Sequence, residues 1–234
     1  MVCRDLDNRI LKLSNIFFVQ KNFIFYYKYI KMYNTLYYIN ACPGARAVRL
    51  YCLLKNIEIK EVLIDFKKGD HMTPEFLKLN PMHTVPTIKM ENGKGLSESR
   101  MILKHMAGDS VNNMEIDKWL FWDLGFLNTN VGKVIYPRLF MNSEPIQKDI
   151  DRLVEKLEYL NSYLENKKFL VNEELTIADL SSCMLIYNSQ VRSDLVNIEN
   201  YSNIVSWMNN IEAEFKPEDW SKVMHPFLEW RKGL

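Results

Sequence analysis

Cys42 stands where the apolar run "YYINA" gives way to "CPGARAV", a segment with helical spacing. A thiol at a strand-to-helix junction meets the first unpaired backbone N–H groups and the positive end of the helix dipole, which stabilise an anion and lower a thiol pKa. The position is suited to holding a thiolate. Three groups downstream carry matching chemistry. In "NPMHTVPTI" the Val85-Pro86 bond precedes a strand, where a cis proline leaves the preceding backbone free to pair with an extended peptide. In "ESR" the residues Glu98, Ser99 and Arg100 open a helix. Its N–H groups and hydroxyl can hold a carboxylate while Glu98 accepts from an amine. His71 and His83 are candidate donors to a second carboxylate.

Periodicity predicts the elements around these groups. "TLYYI" predicts a strand, and Ala45, Val48 and Cys52 recur at helical spacing up to Asn56. "KEVLIDF" predicts a second strand. "TPEFLKL" predicts a short helix with Thr73 as N-cap and Pro74 at its first position. "VPTIKM" and "GLS" are strands around the turn "ENGK", and "ESRMILKHM" is a helix ending at Gly108. The order β-α-β-α-β-β-α makes residues 32–108 a compact mixed domain. Residues 109–113 are the expected linker, and residues 114–234 an all-helical domain. Its best-marked helix is expected over residues 143–166. Ser143 is the cap there, Pro145 sits in the first turn, and Ile146, Ile150, Leu153, Leu157, Leu160 and Leu164 share one face. Most of Trp119, Phe121, Trp122, Phe126, Tyr136 and Phe140 are assigned to the core, and Trp207, Trp220 and Trp230 to packing. Thr176 and Asp179 have capping-box spacing, a folding signal.

Bulk properties narrow the function. The 30 basic and 29 acidic residues nearly cancel, so no charged field points to nucleic acid. "NIFFVQKNFIFYYKYIK" is apolar, but lysines interrupt it before the roughly 20 residues a membrane span needs. Residues 1–31 are read as an N-terminal extension, disordered or a gene-model artefact, with Met32 a natural start. Cys3, Cys42, Cys52 and Cys183 follow no paired metal spacing. All four are expected to be thiols in a reducing, cytoplasmic compartment, with no metal site.

A carboxylate site, an amine site, a backbone pairing site, a second carboxylate site and a thiol-handling position together outline glutathione. "LYYINACPGARAV", "GDHMTPEFLKLNPMHTVPTI", "LSESRMIL" and "FLVNEELTIADL" resemble cytosolic glutathione S-transferases, most closely the insect delta and epsilon classes. The resemblance implies a thioredoxin-like domain followed by an all-helical domain, a homodimer, and detoxification by conjugating glutathione to hydrophobic electrophiles. It implies that His71 and His83 hold the glycyl carboxylate and that Val85 pairs through its backbone before cis Pro86. It also implies that Glu98, Ser99 and Arg100 bind the γ-glutamyl end, and that Tyr136 and Phe140 line the hydrophobic substrate site.

One position departs from the delta pattern: Cys42 stands at the family's catalytic serine. Its Cys-Pro start is similar to the omega class and to monothiol glutaredoxins, in which the cysteine attacks a mixed disulfide. The expected activity is glutathione conjugation with cysteine-dependent thiol transfer alongside it, glutathione being a co-substrate. The alternative is a non-catalytic member of the fold that binds ligands or partner proteins.

Overall fold

Strand β1 (Tyr33–Tyr38) lies inside a four-stranded sheet because both of its edges are paired. It runs parallel to β2 (Lys60–Leu63) and antiparallel to β3 (Thr87–Met90), with Leu36 opposite Glu61 on one side and Ile88 on the other. Strand β4 (Gly95–Ser97) completes the order β2-β1-β3-β4. Helix α1 (Pro43–Leu54) makes the crossover between the parallel strands, as such pairs require. Thr73 caps α2 (Pro74–Leu79), its Oγ1 accepting from the Phe76 N–H. Helix α3 (Ser99–Ala107) ends at Gly108, whose φ of 60° suits glycine. The expected thioredoxin-like order is present, with Leu36, Val48, Leu50, Ile88, Ile102 and Leu103 fully buried between sheet and helices. The computed structural model describes residues 33–108, 113–171 and 173–234. The N-terminal extension and all of the expected linker except Asn113 lie outside the described residues.

The second domain is helical: α4 (Met114–Trp122), a π-helical turn (Asp123–Leu127), α5 (Asn128–Phe140), α6 (Gln147–Tyr163), α7 (Ile177–Ser189), α8 (Ser202–Glu212) and α9 (Pro217–Lys232). Almost every residue of α7 is buried, which makes it the central helix that its neighbours surround. Asp179 anchors it, accepting from the Thr176 and Leu170 N–H groups, the Thr176 hydroxyl and the Trp207 indole.

Two expectations are corrected. Helix α6 begins at Gln147 rather than at Ser143, whose N–H donates to the Pro137 carbonyl and so closes the preceding helix. Leu153, Leu157, Leu160 and Leu164 are buried as expected, but Ile146 is exposed. The aromatic stretch also divides: Trp119 is in the core, while Phe121 and Phe126 are exposed. The π-helical turn accounts for Phe126, because its extra residue rotates that side chain out of phase with Trp119 and Trp122.

Candidate active site

Cys42 is the N-cap of α1 and keeps an extended backbone (φ −76°, ψ 116°), with Pro43 as the first helical residue. Its thiol donates to the Val85 carbonyl at 3.3 Å. Val85-Pro86 is cis, as the sequence predicts. Burial pushes the Cys42 thiol above its ordinary value, against the pull of the Ala45 and Gly44 amides, Arg46 and Arg100. Desolvation outweighs the helix terminus, which makes this thiol harder to ionise than an ordinary cysteine.

Glu98 caps α3 with φ 68° and ψ 105°, a conformation that non-glycine residues rarely adopt and that concentrates at functional sites. It is exposed, while Ser99 beside it is buried. The α1 start and Ser99 approach so closely that a Cβ on Gly44 would stand 2.5 Å from Ser99 Oγ. Gly44→Ala is therefore expected to cost about 1–3 kcal/mol of stability by overpacking. Thermal unfolding checks this.

Arg100 reaches across the domain boundary and pairs with Asp123, which also accepts from the Ser181 hydroxyl. Burial pushes the Asp123 carboxyl up against the pull of Arg100 and Ser181. Arg100 Nε is buried without a partner among the described residues. His71 and His83 come together with ring centroids 6.0 Å apart, His83 exposed and His71 behind it against Phe66. His71 Nδ1 is likewise buried and has no partner among the described residues.

These residues surround two adjoining clefts. One, of about 220 Å³, is lined by Pro86, Glu98, Ser99, Arg100 and Asn128. The other, of about 340 Å³, is mainly apolar and is lined by His83, Ile135, Tyr136, Phe140, Asn188 and Trp230. Cys42, Pro43, Thr84, Val85 and Tyr136 line both, so the thiol sits where a polar cleft meets an apolar one. His71 alone among the expected site residues lines neither.

Asp123 and Asn188 escaped the sequence reading, and Trp230, assigned to packing, packs against the core and also lines the apolar cleft. Asn188 donates to the Ala41 carbonyl at 3.2 Å and accepts from Arg46, which also donates to the Asn40 and Met184 carbonyls. Arg46 is fully buried over the Phe227 ring, and burial lowers its pKa to about 9. This network holds the turn before Cys42 against α7 and α9. A signal for Asp123 was present: it is a lone acid within "FWDLGF", and buried acids need partners.

The family model for the glutathione S-transferase N-terminal domain matches residues 36–112, and that for the C-terminal domain matches residues 139–222. A delta-class glutathione transferase of Nilaparvata lugens is 30% identical, with 85% of this chain and 98% of that one covered and a TM-score of 0.75. A glutathione transferase of Bombyx mori is 28% identical over 85% and 96% of the two chains, with a TM-score of 0.77. An epsilon-class enzyme of the housefly Musca domestica is 25% identical over 85% and 97%, with a TM-score of 0.73. With matched sequence in both domains, a shared fold and this identity across almost the whole of the Nilaparvata lugens protein, the chain belongs to the glutathione S-transferase family.

Proposed function

We propose that the protein conjugates glutathione to hydrophobic electrophiles, with glutathione in the polar cleft and the electrophile in the apolar one. The observation that carries this reading is the meeting of the two clefts at Cys42. The γ-glutamyl end fits Glu98, Ser99 and the α3 amides, with Arg100 Nε as an unspent donor. Val85 pairs with the cysteinyl backbone, and His83, with His71 Nδ1 behind it, faces the glycyl carboxylate. Cys42 then turns its S–H from the Val85 carbonyl to the sulfur of glutathione, favouring that thiolate as a weak donor. The glutathione thiol releases its proton to solvent, the thiolate forms the new C–S bond, and the electron pair leaves with the displaced group or moves into the electrophile's π system.

Thiol transfer is the second reading, favoured by the Sγ at a helix N-terminus beside cis Pro86. There Cys42 attacks a glutathione mixed disulfide, expels the other thiolate, and is released by a second glutathione. A thiol harder to ionise weighs against it. Alkylation of Cys42 by iodoacetamide is accordingly expected to be slower at neutral pH than that of an ordinary exposed cysteine and to accelerate with rising pH, because a raised pKa leaves less thiolate below it. Mass mapping of the adduct against pH checks this. The reading includes a cytoplasmic homodimer, for which exposed Met101 and Phe121 provide apolar surface.

The test is retention on immobilised glutathione combined with turnover of a chloronitrobenzene. Retention with turnover supports conjugation. Binding without turnover supports a ligand carrier, and no binding supports a scaffold.

A further inference from the structure

Gly132 and Tyr136 stand one turn apart on α5, and helical side chains lean back over the residue four positions earlier. A Cβ on Gly132 would lie 2.9 Å from Tyr136 Cε2 and 3.2 Å from its Cδ2, so the tyrosine ring occupies space that any other residue would claim. Phe140, a further turn on, packs against Tyr136 with ring centroids 5.5 Å apart. Both rings line the apolar cleft, and Gly132 is buried behind them. A glycine inside a helix costs roughly 1 kcal/mol relative to alanine. Gly132 is not among the residues with positive φ, so no backbone requirement explains it. What it provides is a recess for the tyrosine.

Building on the conjugation reading, we propose that Gly132 sets the width of the apolar cleft. By letting Tyr136 and Phe140 lie back along α5, it admits electrophiles with a broad apolar body, such as fused-ring aromatics. A side chain at 132 swings the Tyr136 ring outward into the cleft. The specificity therefore sits one turn behind the residues that touch substrate, on a residue that lines neither cleft.

Two glutathione adducts differing only in the bulk on sulfur, S-methylglutathione and S-(1-naphthylmethyl)glutathione, test this by calorimetric titration of the full chain. Gly132→Ala is expected to weaken the naphthylmethyl adduct about tenfold and the methyl adduct less than about twofold. In a Tyr136→Ala background the same change is expected to matter less than about twofold for either adduct, since no ring remains to be displaced. The propensity alanine adds to the helix offsets part of the cost of displacing the ring, and thermal unfolding confirms that both variants are folded under the conditions of the titration. Unchanged naphthylmethyl binding, an equal loss for both adducts, or a loss that persists without Tyr136 overturns the proposal while leaving the glutathione site standing. A parent chain that binds neither adduct overturns the glutathione reading and this inference with it.

Discussion

Asp123→Ala is expected to destabilise the protein by about 3–5 kcal/mol, the cost of breaking a buried ion pair from one side. Asp123 is fully buried, and its loss leaves the Arg100 guanidinium facing the domain boundary with no anion and Ser181 without its acceptor. Its position inside a π-helical turn gives the reason for the effect on function. The turn brings a helical-domain carboxylate to a residue directly after Ser99, so one pair both joins the domains and orients the polar cleft. Glutathione affinity should fall with stability, and Asp123→Asn, which retains an acceptor for Ser181, should recover part of the stability but little of the affinity. Thermal unfolding and glutathione titration on the same samples measure both. Unchanged stability in the alanine variant would remove this pair from the account of how the domains are held.

Cys42→Ser is the second large effect, and its sign separates the two readings of the site. A hydroxyl is a better donor than a thiol, and a hydrogen bond to a charged group is worth roughly 1.5–3 kcal/mol. With Cys42 as a donor to the glutathione thiolate, the serine variant is expected to raise kcat/KM for conjugation about tenfold, the equivalent of about 1.4 kcal/mol. Cys42→Ala should lower it about tenfold. Under thiol transfer the serine variant instead loses disulfide reduction, since no sulfur remains to attack. Assaying conjugation and mixed-disulfide reduction side by side in the parent and both variants distinguishes these outcomes.

The sequence carried most of the polar half of the candidate site because each part is a local signal. Pro86 after Val85, Glu98 ahead of a helical run, and Cys42 ahead of Pro43 all mark junctions between elements, and backbone chemistry at a junction depends on near neighbours. The state of Cys42 was not local. The helix start argues for a thiolate, but desolvation of the half-buried sulfur pushes its pKa the other way. Asn188, and the place of Trp230 in the cleft, were not legible for a related reason. They are far along the chain, and only the packing of α7 and α9 against α1 brings them to the apolar cleft. The start of α6 was misplaced because Ser143 and Pro145 satisfy the rules for a helix start, while the Pro137 carbonyl claims Ser143 for the preceding helix.

The mechanism turns on which sulfur carries the charge, and ultraviolet difference spectroscopy reads that charge, because a thiolate absorbs where a thiol does not. At neutral pH the free protein is predicted to show no thiolate band. Added glutathione is predicted to produce one, in the parent and at least as strongly in Cys42→Ser. A band already present in the free protein that disappears in Cys42→Ser would contradict this mechanism and make Cys42 the nucleophile.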